Sequence, residues 1–423
     1  MLKKFAQLSL FFVFLVGSRA QAEEEIDRGS RTIRSSKKGP KKALGFDYHL
    51  GIFTGVFVED ERLGLLSDIG IGSSLALNKK QTISAKLSYL HDPFSAKSFN
   101  FSDESISADP KIAIQRIAQK IDELELQLRW NSKWSKDWKS NIVLDLDARW
   151  PSFATDQRFS IALRPQVRYG KKRGFFVKTL LKIGYVAYPE YLISGRELNQ
   201  NREGLKLESG WVFKGRSSIS AGFETNFTQY LNAKYDAQNT AGDTIDAVDS
   251  KSYRSYEPFV NGVWRITKKI KVRGKYKLQI HDSIHYDRDT QGRDKNAKIE
   301  RRFISNYYDY TRHRLRLDVS AKISKDLKVS LLGEVWTRTF ADYEARDADN
   351  KWIEEKRTDQ SLEVGLETAY RVFSFGEKPF ASAIYLTGLV SLLKRSSNME
   401  REVSFATNYD VTRLFLGLEF RSK

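Results

Sequence analysis

The stretch Ile270-Lys271-Val272-Arg273-Gly274-Lys275-Tyr276-Lys277-Leu278-Gln279-Ile280 decides the fold. Its even positions are apolar or small: Ile270, Val272, Gly274, Tyr276, Leu278 and Ile280. Its odd positions are Lys271, Arg273, Lys275, Lys277 and Gln279. A strand sends successive side chains to opposite faces. One face of this strand is therefore greasy and the other strongly cationic. Repeated around a closed sheet, that pattern puts lipid outside and a polar lumen inside.

The same alternation recurs from Leu44 to Phe420. Period-2 reading predicts about sixteen strands, at 44–58, 63–77, 81–91, 119–134, 139–150, 157–169, 175–188, 203–213, 217–230, 254–266, 270–281, 305–323, 327–340, 360–372, 380–393 and 403–420. In 157–169, Phe159, Ile161, Leu163, Val167 and Tyr169 take one face and Arg158, Ser160, Arg164, Gln166 and Arg168 the other. Segment 380–393 is apolar on both faces, so its register stays open.

The connections alternate in length. Short turns fall at Asn78-Lys79-Lys80, Ser135-Lys136-Asp137, 170–174, Lys214-Gly215-Arg216, Lys268-Lys269, Ser324-Lys325-Asp326 and Phe375-Gly376-Glu377. The intervening connections are mostly longer, with more than twenty residues around 92–118, 231–253 and 282–304. Seven short turns and eight loops require an even strand count and place both ends of the barrel on the short-turn side. Many apolar stripes end in aromatics, namely Trp130, Trp134, Trp150, Tyr169, Trp211, Phe213, Trp264 and Tyr370. Such rings form girdles at membrane interfaces.

Residues 1–22 read as a cleaved signal: Lys3 and Lys4, the apolar run Leu8–Val16, then Ala20-Gln21-Ala22. That run is too short to span a bilayer as a helix. Residues 23–43 are polar and basic, with Gly39-Pro40, and read as a disordered periplasmic lead-in. Residues 44–423 are the transmembrane β-barrel. Absence of Cys excludes disulfides and thiolate metal sites. The net charge of +18 would suit a nucleic-acid binder. Here the cations sit on the polar parity of strands, which favours a lumen or a lipopolysaccharide-facing rim.

The chain resembles the bacterial outer-membrane β-barrel proteins, porin-like in the broad sense. The resemblance covers the signal and residues 44–420 and is architectural, matching no single family. It implies outer-membrane lipid and lipopolysaccharide as surroundings and the barrel-assembly machinery as a partner during insertion. The closing stripe Leu414, Leu416, Leu418 and Phe420, with Gly417 facing inward, matches the terminal strand that this machinery reads. The tail Arg421-Ser422-Lys423 departs from that pattern.

Sixteen strands leave room for an aqueous channel, whereas eight are filled by their own side chains. Passive diffusion of small hydrophilic solutes follows as the first expectation. The residues expected to line the pore are Lys271, Arg273, Lys275, Lys277, Arg312, Arg314 and Arg316, with Arg158, Arg164 and Arg168 on a second wall. On the inward parity of 270–281 and 305–323 only Asp318 opposes those cations. A basic wall favours anionic solutes. The alternative is a charge-balanced wall that merely stays wet. Asp109-Pro110 and the spacing of Ala113, Ile117, Ile121 and Leu124 allow a short constriction helix at 110–120, or an earlier start of the next strand.

A second class of function is a plugged or partner-filled barrel with a scaffold, adhesion or export role. A third is an enzyme built on His281-Asp282-Ser283-Ile284-His285, whose clustering does not by itself orient a nucleophile. The expectation is no enzyme, no cofactor and no metal. The opening Asp287-Arg288-Asp289-Thr290-Gln291-Gly292 imitates a calcium loop, but Lys298 stands where a bidentate Glu is needed, so it reads as a turn. Loops around 231–253 and 341–359 are expected to face lipopolysaccharide.

Overall fold

Every one of the sixteen predicted strands is present in a computed structural model of the chain, and they close into a single antiparallel barrel. The structure describes residues 46–59, 62–92, 121–151, 157–171, 173–188, 199–234, 237–238, 244–245, 250–284, 288–293, 298–304, 309–347, 349, 351–375, 382–399 and 409–422. The signal, the lead-in and the candidate helix at 110–120 lie outside the described residues.

The first half of the wall is β1 (Phe46–Glu59), β2 (Arg62–Ala76), β3 (Gln81–Asp92), β4 (Ile121–Lys133), β5 (Trp138–Pro151), β6 (Arg158–Gly170), β7 (Gly174–Ala187), β8 (Gln200–Val212) and β9 (Ser218–Lys234). A small hairpin, β10 (Ala237–Gln238) with β11 (Thr244–Ile245), interrupts it. The wall resumes with β12 (Ser250–Arg265) and β13 (Ile270–Ile284). A second hairpin, β14 (Arg288–Arg293) with β15 (Ile299–Ile304), precedes β16 (Tyr310–Lys322). Then follow β17 (Leu327–Arg346), β18 (Trp352–Phe375), β19 (Ser382–Ser397) and β20 (Tyr409–Ser422). β1 pairs with β20 and removes the last free edge.

The alternation read from sequence sorts the two faces. Ile161, Leu163, Val167 and Tyr169 are exposed on the outside, and Arg158, Ser160, Arg164 and Arg168 point inward. The outer face is a continuous apolar band, as a lipid-facing surface requires. At its short-turn end stand Trp134, Tyr169, Trp211, Phe213, Trp264 and Tyr370, all exposed. Trp138 and Tyr169 pack there with ring centroids 4.9 Å apart.

Three short turns use one device. Ser135, Thr267 and Ser324 each follow an apolar residue, and each hydroxyl oxygen accepts from two backbone amides further along, at 3.0–3.3 Å. A Ser or Thr at that place satisfies amides that the ladder no longer reaches. The turns at Ser135-Lys136-Asp137 and Ser324-Lys325-Asp326 even share their sequence.

Three expectations change. The stretch 341–359 is largely strand: β17 runs to Arg346 and β18 starts at Trp352. Its reason is a buried cluster of Phe340, Tyr343, Ala345, Trp352 and Met399 at the long-loop end. Segment 305–323 enters the barrel only at Tyr310; residues 305–308 lie outside the described residues, and β15 ends at Ile304. The calcium-like stretch is not a turn; Arg288–Arg293 is extended and paired with Ile299–Ile304. The register of 380–393 is settled: Val390 and Leu392 face outward, and Thr387, Leu389, Ser391 and Leu393 face inward and are buried. It reads as apolar on both faces because its inner face packs.

Candidate functional site: the inner wall

β13 and β16 lie side by side with Arg273 opposite Asp318, Lys275 opposite Arg316 and Lys277 opposite Arg314. Two of these three pairs set like charges face to face, which is repulsive. The side chains turn to other partners. Lys277 contacts Glu257 on β12 and lies 3.9 Å from Glu224 on β9. Arg314 donates to Glu334 on β17 at 2.8 Å. Arg316 lies 3.5 Å from Asp318 on its own strand. Lys271, Arg273 and Lys275 share the inner face and are also engaged.

The predicted ladder is thus inward, but it is not opposed by Asp318 alone. Its acids come from strands that flank the pair, which is why reading 270–281 with 305–323 missed them. Glu224 shows the arrangement best. Its side chain is only 3% exposed, and Lys182 from β7, Lys206 from β8 and Lys277 from β13 approach it at 2.6, 3.6 and 3.9 Å. Glu257 stands directly opposite Glu224 across β9 and β12, so these lysines also keep two carboxylates from repelling.

The second predicted wall is built the same way. Arg158 pairs with Asp147 at 3.2 Å and Arg164 with Asp145 at 2.6 Å. Arg168 differs. It sits between Lys139 and Lys178 in register and lies 4.8 Å over the Phe176 ring.

Toward the long-loop end, an arc of rings crosses the inner wall. Tyr230 and Tyr253 are 6.4 Å apart, Tyr253 and His281 4.9 Å, His281 and Tyr310 4.7 Å, and Tyr310 and Phe340 5.9 Å. Beside it lie Arg312, Arg338 and Arg395, each with its guanidinium 5.5–5.9 Å from the Trp336 ring. Arg338 and Arg357 share the carboxylate of Asp359, at 2.5 and 3.1 Å. Sequence reading missed these rings, although their signal is present: Tyr253, Tyr310, Trp336 and Phe340 occupy the parity that elsewhere carries charge.

The inner wall is not uniform. From β4 to β18 it is charged. On β19, β20 and β2 it carries a dry patch: Leu66, Thr387, Ser391 and Phe415 are at most 2% exposed although they face inward. Phe415 lies against Gly55 at the closing seam, where a Cβ would come within 2.0 Å of the Leu416 carbonyl oxygen.

The candidate enzyme segment does not assemble a triad among the described residues. Ser283 donates from its hydroxyl and its amide to Asp309, both at 2.5 Å, with no imidazole between. His281 is sandwiched by Tyr253 and Tyr310, and His285 lies outside the described residues. No group of three or more His, Asp and Glu suited to a metal occurs among the described residues.

No protein-family model and no curated protein matches the chain. Solved structures that match in shape include OmpT, an outer membrane protein of Vibrio cholerae in its trimer form, with 11% identity, 90% of this chain and 99% of that one covered, and a TM-score of 0.44. The siderophore receptor PirA from Acinetobacter baumannii matches with 8% identity, 90% and 81% coverage, and a TM-score of 0.45. A bacterial polysaccharide outer membrane secretin matches with 8% identity, 89% and 98% coverage, and a TM-score of 0.41.

Proposed function

We propose that this outer-membrane barrel is a porin-like channel for passive diffusion of small hydrophilic solutes, with a weak preference for anions. The observation that carries this reading is the charged arc of inner wall from β4 to β18. Ionised groups are costly to hold without water unless paired and hydrogen-bonded. Here many of them are paired, yet side chains such as Arg158, Lys182 and Arg314 keep 22–36% exposure. A water-filled lumen accounts for both. Lys271, Arg273, Lys275, Lys277, Arg312, Arg314, Arg316, Arg158, Arg164 and Arg168 are the proposed pore-lining residues. Cross-strand pairing cancels most of their field, so the sign of selectivity is set by the surplus of cations and is modest. No chemistry, cofactor or metal enters this mechanism.

The dry patch on β19, β20 and β2 favours a second reading, a lumen partly filled on that side and serving a scaffold or export role. Liposome swelling separates the two. Vesicles carrying the refolded barrel should swell in sugars up to a size limit and more slowly above it. Vesicles that stay inert to the smallest sugar would shift the assignment to the filled barrel.

A further inference from the structure

The geometry points to a discrete oxyanion-binding site at the outer end of the charged wall, centred on Arg312. The inference rests on the channel reading only in requiring that the lumen be reached from outside.

Arg312 stands in register between Gln279 on β13 and Arg338 on β17. Its neighbour one pair down, Arg314, is held by Glu334, and Arg338 is held by Asp359. Glu257, the acid within electrostatic reach of Arg312, is engaged by Lys277. Among the described residues no carboxylate lies within ion-pair distance of Arg312, and its Nε is buried without a hydrogen bond. Its recorded contact is the Trp336 ring at 5.9 Å. Trp336 also takes the faces of Arg338 and Arg395, so three guanidiniums gather around one indole.

This is an odd place to leave a cation unanswered. Arg158, Arg164, Arg314 and Arg316 each have a carboxylate partner. A guanidinium presents five donors in a planar fork that fits a carboxylate or phosphate with two parallel bonds. Cation–π contacts hold the side chain without using those donors. The aromatic arc through Tyr253, His281 and Tyr310 walls the site on one side and lowers the competition from water. An oxyanion arriving from outside would complete Arg312 and relieve its repulsion with Arg338. The ligand class is a small solute bearing a carboxylate or a phosphate, whose oxygens match the fork; chloride offers no such pair.

The test is a titration of the refolded full barrel in a planar bilayer. Inorganic phosphate and acetate are added separately to the long-loop side against a chloride background. Each should give a saturable fall in chloride current, and the tighter of the two names the headgroup. Replacing the fork by R312Q should weaken that block about tenfold or more, as loss of a charge-assisted hydrogen bond does. R312K should fall between, because it keeps the charge without the fork. K268Q, which removes a cation from a turn at the opposite end, should leave the block unchanged. Absence of saturation with both anions, or an unchanged block in R312Q, overturns the site. If the barrel is silent in chloride, the channel reading fails by itself. Calorimetric titration of phosphate and acetate into the detergent-folded barrel and its R312Q variant then decides the site: R312Q-sensitive binding supports it, and no binding to either form overturns it.

Discussion

Glu224 is the residue on which most of the charged wall turns. A carboxylate 3% exposed and approached by three lysines is stabilised only while all partners are present. Glu224→Gln takes from Lys182, Lys206 and Lys277 the carboxylate they share. Removing one member of a buried charge cluster costs about 1–3 kcal/mol where water reaches the remaining partners. The expected outcome is a lower urea midpoint for unfolding from detergent, together with a stronger anion preference because one acid is gone. Gly55 is the second decisive residue. Its missing Cβ lets the Leu416 carbonyl and the Phe415 ring close the seam. Gly55→Val places methyl carbons into backbone that has no room to yield. The barrel should then refold in much lower yield, read as loss of the compact, heat-shifted band on gels.

The strands were legible in sequence because each half-lipid, half-water strand must alternate, and short turns need particular residues. Segment 270–281 was read with the correct faces from its Lys/Arg parity alone. What stayed hidden was relational. That Lys277 answers to Glu257 and Glu224 depends on which strands flank β13, and no single stretch states it. The extended β17–β18 hairpin was hidden for another reason. Above the membrane the strands pack on a local core instead of lipid, so the alternation of 340–359 no longer separates greasy from charged. That core of Phe340, Tyr343, Trp352 and Met399 should be separable from the barrel. Tyr343→Ala removes a fully buried ring, a loss on the order of 3–5 kcal/mol for a large aromatic. Protease added outside intact cells should cut the variant between 340 and 358, while the barrel keeps its heat-shifted mobility. A variant that loses the whole barrel would show that the two regions fold as one. At the turns, Ser324→Ala should cost about 1 kcal/mol by leaving two amides without their acceptor, measured as a small drop in the same urea midpoint.

At the scale of the molecule, one barrel carries two unlike inner walls. The charged arc argues for water and ions, and the dry arc for packing. Their coexistence sets a limit on pore size rather than forbidding a pore, because a lumen of sixteen strands is wider than one layer of side chains needs. In the proposed channel, a surplus of cations on the charged arc would give the field its sign, and the cross-strand pairs would keep it weak. Raising ionic strength should weaken the selectivity further, since the Debye length falls to about 3 Å at 1 M salt.

The most direct test of the central claim is single-channel recording of the refolded chain in a planar bilayer under a potassium chloride gradient. An open, weakly basic lumen predicts steady conductance steps with a reversal potential displaced toward chloride. The displacement should shrink or reverse when Lys271, Arg273, Lys275 and Lys277 are all changed to Gln. A folded barrel that conducts nothing would contradict the channel account and leave the filled lumen in its place.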